Sequence, residues 1–506
     1  MKKIAELVFI PHAARGHIAA MLELAKLLIT RDASLSITVL IMKLPGNPNL
    51  AAYTDSLVAS NSFSERIQFL DITQSEDKIN SAETNPLVFV DLFIKNHKRH
   101  VKNTVTDLFQ TDNSPRRLAG FVVHMAWTEM TDVANEFRVP TYVFWPSPAG
   151  WLGLNFHLQA LREERDMHVD LRNKLANDYT NGGELWVPSF ANPVPTGVIP
   201  SMVLDKSSAD VFLTFVKRIR ETAKGVIVNT FAELESHAVG SMISDGKLPA
   251  VYSVGPIVNL KGEGSHAFSV GREAQDNESN IIEWLDDQPD SSVIFLCFGS
   301  CGSFSEDQVK EIATALERTG LRFLWSVRRH PGLTTKDTTT TTTTTKLAFV
   351  SDFVDPEEVV PEGFLDRTAG VGKVISWAPQ VAVLSHRAVG GFVSHCGWNS
   401  LLESLWFGVP VATWPLFAEQ QLNAFQMVKE LELAVEIKTG NSRVVDKGVV
   451  SAKEIEDGIM RVMEPHSDIR KRVKEISQKS RKTMIEGGSS YSSLGRFVSD
   501  VLENLY

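Results

Sequence analysis

Residues 393–404 read VSHCGWNSLLES and put His395, Cys396, Trp398, Asn399, Ser400 and Glu403 into one short segment. Those side chains allow three chemistries. A closed zinc site needs four ligands, and only His386 stands upstream, with no second Cys or His at ligand spacing. A Cys396 nucleophile needs a partner base and electropositive surroundings; a free cysteine is more often a small buried filler. An anion cradle needs backbone N–H groups left open at a helix start.

The spacing within the segment bears on the third. Apolar residues at 398, 401, 402, 405 and 406 share one helix face, and Asn399 and Glu403 share another. The preceding GGFVS is strand-like. A helix is therefore expected to begin near His395, at the carboxyl end of a strand, where α/β sheets bind ligands. His395, Asn399 and Ser400 can donate to phosphate oxygens, and Glu403 can accept from sugar hydroxyls. An ordinary capped helix with polar decoration would use the same residues.

The elements that must position this corner recur twice along the chain. Short apolar runs (ELVFI, SITVLIM, RIQFLDI, AGFVVHM, TYVFW, GVIVNT) alternate with helical stretches such as AAMLELAKLLI in the first half. The second half restarts with SSVIFLCFGS, then a helical SEDQVKEIATALERTG, then RFLWSV, GKVISWA, GGFVS and VPVATW. Near-continuous apolar strands separated by helices predict α/β parallel sheets covered on both faces. The expected organisation is a first domain over 1–250, a polar linker over 251–280 and a second domain over 281–484. A last helix over 485–506 is expected to pack back on the first domain. The unbroken threonine run 338–345 reads as a surface loop.

The chain has 506 residues, 43% hydrophobic and 22% charged, with a net charge of −10. An acidic chain disfavours nucleic acid as a partner. Three cysteines (Cys297, Cys301, Cys396) are odd in number and sparse, which suggests a reducing compartment. No run of about 18 apolar residues predicts a membrane span. Glu6 interrupts and Pro11 ends the N-terminal apolar run, so a buried strand reads better there than a signal peptide. A cytoplasmic, monomeric protein is expected.

The wider segment WAPQVAVLSHRAVGGFVSHCGWNSLLESLWFGVPVATWPLFAEQQ closely resembles the donor-binding signature of plant UDP-glycosyltransferases of specialised metabolism, without a gap from Trp377 to Gln420. Weaker resemblance extends to ELVFIPHAARGHIAAMLELAKLL, FLCFGSCGSF, PEGFLDRT and EGGSS. The resemblance implies the GT-B fold, two facing Rossmann-like domains, and UDP-glucose and a small-molecule acceptor as partners. Carried over by matching position, Trp377 would stack on uracil with the Ala378 backbone beside it, and Gln380 and Glu403 would hold ribose hydroxyls. His395, Asn399, Ser400, the Trp398 backbone and Ser300 would hold the diphosphate, and Glu419 and Gln420 the sugar.

The reaction so implied is displacement at the anomeric carbon by an acceptor hydroxyl, with inversion. No D-x-D triplet occurs, so no metal or other cofactor is expected, and the helix start near His395 would meet the leaving-group charge. His17 in RGHIAAML is the expected general base, kept neutral by a helix N-terminus, with His12 its rival. Where the family usually places an aspartate to orient that base, this chain has His124, which offers no negative charge. Three readings follow: an enzyme that favours acidic phenols, one that borrows Asp132 or Glu129, or one that is impaired. Trp127, Phe144, Trp145 and Trp151 could line an aromatic acceptor pocket or belong to the core.

Two rival functions compete. A nicotinamide oxidoreductase should show its glycine fingerprint between a strand and a helix; the near match GEGSHA sits in the polar linker. No Walker A sequence is present. A non-catalytic UDP-sugar-binding protein is the alternative that His124 motivates.

Overall fold

Seven strands of the first half pair into one sheet: β1 (Ile4–Ile10), β2 (Leu35–Ile41), β3 (Ile67–Asp71), β4 (Arg116–His124), β5 (Thr141–Trp145), β8 (Gly225–Val228) and β9 (Ala250–Ser253). The intervening β6 (Glu184–Leu185) and β7 (Val194–Pro195) form a small antiparallel pair outside it. Six more make the second sheet: β10 (Val293–Cys297), β11 (Arg322–Ser326), β12 (Gly372–Ile375), β13 (Val389–Ser394), β14 (Val411–Thr413) and β15 (Ala434–Glu436). The computed structural model describes residues 4–43, 48–59, 64–72, 85–109, 116–164, 183–260, 272–328, 355–438 and 448–505. The threonine run 338–345 and the centre of the expected linker, 261–271, lie outside the described residues.

Both sheets are parallel throughout, because each apolar run is followed by a helix that returns the chain to the same edge. The first runs β3-β2-β1-β4-β5-β8-β9 and the second β12-β11-β10-β13-β14-β15. Each therefore reverses direction once, between β1 and β4 and between β10 and β13. At such a switch point the loops leaving the two strands diverge and open a crevice at their carboxyl ends.

Apolar side chains cover both faces of each sheet. The helix Arg15–Arg31 packs on one face of the first sheet, turning Met21, Leu24, Ala25 and Leu28 inward at helical spacing. The helix Ser489–Glu503 joins that face through Leu494, Phe497, Val498 and Val501. Asp500 accepts from the Tyr252 hydroxyl, and Asn504 Nδ2 donates to the Tyr142 hydroxyl at 3.0 Å. Four strands differ from expectation. β9 runs from the end of the expected first domain into the expected linker, and the sequence pattern predicts none of β6, β7 and β15. All four are short, with too few residues to show a burial pattern by sequence alone.

Candidate active site

His17 sits on the first turn of the helix that follows β1, and His124 is the last residue of β4. The first switch point thus brings together two rings 107 residues apart, His17 Nδ1 lying 2.8 Å from His124 Nε2. The Ala126 N–H donates to His124 Nδ1 at 3.2 Å. His12, in the loop after β1, stacks on His124 with centroids 5.1 Å apart and meets His17 edge-on at 5.5 Å. Burial pushes His17 down to about 4. It pushes His12 down to about 3, helped by the neighbouring His17, and holds His124 well below the usual histidine range. The direction matches the one expected for His17, and burial is its main cause.

The two carboxylates considered as substitutes do not serve. Glu129 is gripped by Lys98 at 2.9 Å and by Arg218 at 3.0 Å, and Asp132 pairs with the same two cations. Opposite charges so close hold them in their own network. Among the described residues no carboxylate hydrogen-bonds to His17 or His124.

The second switch point carries the other corner. The helix Trp398–Phe407 begins at an N-cap Gly397 with no capping side chain, which leaves its first N–H groups aimed outward from β13. His395 nests between two glycines. A Cβ on Gly299 would lie 2.7 Å from its Nε2, and one on Gly397 2.6 Å. Gly299 also has φ +74°, a conformation that favours glycine. Burial pushes His395 down to about 4, opposed by the Cys297 carbonyl. Cys396, at φ +63°, is fully buried and its thiol is pushed up to about 12, so it is core filler and not a nucleophile.

Around this corner Gln380 Nε2 donates to Ser400 Oγ at 2.9 Å and to Glu403 Oε2 at 2.6 Å, and burial pushes the Glu403 carboxyl up to about 7. Ala378 is buried beside Trp377, and the exposed Ser300 stands at the turn after β10. The Trp377 ring carries the guanidinium of Arg328 at 4.8 Å and that of Arg15 at 5.6 Å. A planar cation on an aromatic face marks that ring as a stacking platform. Neither arginine was anticipated, although Arg15 stands two residues before His17. Among the described residues no group of three or more His, Cys, Asp or Glu is arranged to hold a metal ion.

Side-chain hydrogen bonds also join the two lobes across the cleft. Asn399 Nδ2 donates to the Gly16 carbonyl at 3.3 Å, one residue before His17. Trp398 Nε1 donates to the Asn229 carbonyl at 2.7 Å, and Ser147 Oγ to Glu419 Oε1 at 3.0 Å. Gln420 departs in part from expectation. Its Oε1 accepts the N–H groups of Leu416 and Phe417 at 2.9 and 3.0 Å, so its oxygen shapes the loop and only its NH2 is left for a sugar.

The four aromatic candidates are interior residues. Trp145 donates to the Pro148 carbonyl, Trp151 stacks on Phe212 at 5.7 Å, and Phe144 lies on the opposite sheet face. Side chains alternate along β5, and both faces of a parallel sheet are covered, so neighbours 144 and 145 are each buried. Trp127 alone reaches the histidines, 5.0 Å from His12 between centroids.

Comparison with known proteins adds three kinds of finding. The model of the family described as UDP-glucoronosyl and UDP-glucosyl transferase matches residues 269–471. A UDP-glucose flavonoid 3-O-glucosyltransferase 6 of Fragaria ananassa is 53% identical over 506 residues, covering 99% of each chain. A crystal structure of a UGT transferase from Siraitia grosvenorii in complex with UDP is 43% identical, with TM-score 0.83 over 98% of this chain and 100% of that one. That of UGT71G1 from Medicago truncatula, complexed with UDP-glucose, is 36% identical, with TM-score 0.82 over 98% of each.

Proposed function

The chain belongs to the plant UDP-glycosyltransferase family, with its GT-B fold, and from that premise we propose that it transfers glucose from UDP-glucose, with inversion, to an oxygen of a flavonoid or similar small phenolic acceptor. One observation carries the reading. Asn399, on the first turn of the uncapped helix, hydrogen-bonds the Gly16 carbonyl, so the phosphate corner and the imidazole corner face each other across one narrow cleft.

In this reading Trp377 takes the uracil in place of the guanidinium on its face. Glu403 and Gln380, already bonded to each other, take the ribose hydroxyls. The open N–H groups at Trp398, Asn399 and Ser400, with His395 and Ser300, receive the diphosphate. Their partial positive charge grows more effective as the leaving group gains negative charge. Glu419 and the NH2 of Gln420 hold the sugar. His17 faces the anomeric carbon from the other side, as an in-line displacement with inversion requires. To act as a general base it would take the acceptor proton on Nε2, the nitrogen that His124 does not engage.

The test is incubation of the purified chain with UDP-glucose and a panel of flavonols and simple phenols. UDP release and product mass report transfer, and the coupling constant of the anomeric proton reports its stereochemistry. Acceptor-dependent UDP release with a β-linked product is expected; an α-linked product would refute inversion. The replacement of a carboxylate by His124 favours one other reading, a UDP-sugar-binding protein without turnover. Tight UDP-glucose binding with no product from any acceptor would select it.

A further inference from the structure

The hydrogen bonds around His124 fix where the protons lie. The Ala126 N–H donates to Nδ1 of His124, so that nitrogen presents a lone pair and the ring is neutral, with its single proton on Nε2. That Nε2–H points at His17 Nδ1, 2.8 Å away, and makes it an acceptor. The proton of His17 is consequently on its own Nε2. This is the reverse of what a general base needs, a lone pair on Nε2 and a proton on Nδ1.

Changing tautomer is obstructed. A proton on His17 Nδ1 requires a lone pair on His124 Nε2, which drives the His124 proton onto Nδ1, against the Ala126 N–H. A carboxylate at position 124 would accept from both directions; an imidazole cannot. His12 gives no relief. It stacks on His124 and hydrogen-bonds neither ring of the pair, and among the described residues its own buried Nδ1 meets no partner.

We propose that the His17–His124 pair makes the site selective for acceptors that arrive already ionised, phenolates or carboxylates, with the His17 Nε2–H donating to the attacking oxygen. This rests on the glucosyl-transfer reading above. The oxyanion contributes a lone pair to the anomeric carbon, and the bond from that carbon to the diphosphate oxygen breaks with its electron pair. UDP leaves with the negative charge the acceptor brought. No proton is transferred, so no base is required. His17 is then a catalytic hydrogen-bond donor, and His124 a positioning residue that sets its tautomer.

The experiment compares kcat/KM at neutral pH for three acceptors of matched shape: a phenol mostly ionised there, an ordinary phenol with a pKa of about 10, and a benzoate. The ionised phenol is expected to exceed the ordinary one by about 100-fold or more, since general-base assistance is worth about 10²–10⁴-fold. The benzoate arm separates carboxylates from phenolates, because its product is an ester that hydroxylamine cleaves. His124→Asp is expected to raise the ordinary phenol and bring the two phenols within about tenfold. Transfer to the ordinary phenol within about tenfold of the ionised one by the wild type overturns the proposal while leaving the transferase reading intact. No transfer to any acceptor overturns the transferase reading and the selectivity with it. Should His124→Asp not fold, long-range 1H–15N spectra of the wild-type histidines decide: an Nε2–H tautomer at His17 supports the proposal and an Nδ1–H tautomer overturns it.

Discussion

Asn399 of the second lobe and Gly16 of the first are joined by a 3.3 Å hydrogen bond from the Asn399 amide to the Gly16 carbonyl. The bond ties the start of one switch-point helix to the start of the other. A Cβ on Gly16 would stand 3.5 Å from that amide, an ordinary van der Waals contact, so the hydrogen bond itself sets how closely the two elements meet. Everything expected of the cleft depends on this approach, because His17 follows Gly16 directly.

His17→Ala should lower kcat by about tenfold to 100-fold on the best acceptor, the worth of one hydrogen bond to a charged oxygen, about 1.5–3 kcal/mol. UDP affinity should stay within about twofold, since His17 lies on the opposite side of the cleft from the diphosphate corner. Steady-state kinetics and calorimetric UDP titration check both. A comparable loss of UDP affinity would place His17 in donor binding instead.

Gly299→Ala should weaken UDP binding by about tenfold or more. The added methyl meets His395 Nε2 at 2.7 Å and strains a residue at φ +74°, and alanine at positive φ costs upwards of about 1 kcal/mol. Isothermal titration with UDP measures the loss, and an unchanged affinity would show that His395 does not touch the donor.

Trp398→Phe removes the indole N–H that the Asn229 carbonyl accepts at 2.7 Å in a buried setting. Leaving a buried acceptor unpaired costs about 1–3 kcal/mol. The urea midpoint should fall accordingly, with the slope of the transition unchanged.

His395 lies at about 4 in the folded chain against an ordinary value of 6.5. Between those values the unfolded state binds the extra proton, so stability rises with pH there. The contribution of this residue is complete above about 6.5 and is lost as pH falls towards about 4. Urea unfolding of wild type and His395→Asn at several pH values across this window should show the wild type losing ground to the variant as pH falls. A difference independent of pH would mean that His395 titrates normally.

Much of this was legible without coordinates. The segment from Trp377 to Gln420 shows its strand, turn and helix in uninterrupted order, and helix periodicity placed Asn399, Ser400 and Glu403 correctly relative to one another. Likewise the runs that became β1, β4, β10 and β13 announced buried parallel strands by being apolar on both faces. These are local properties, decided by residues a few positions apart.

What the sequence by itself determined, then, was the α/β class, the strand–helix pattern repeated in both halves and which residue types stand at the strand ends that carry the site. The tertiary structure alone decided that His17 meets His124 and no carboxylate, that Ala126 sets the proton of the pair, and that Lys98 and Arg218 take Glu129 and Asp132 away from it. It also decided that Trp145 and Trp151 fill the core. The physical reason is separation along the chain. A hydrogen bond's direction, and hence a tautomer, depends on atoms brought within about 3 Å by sheet pairing between distant segments, and no local pattern of residue types encodes that.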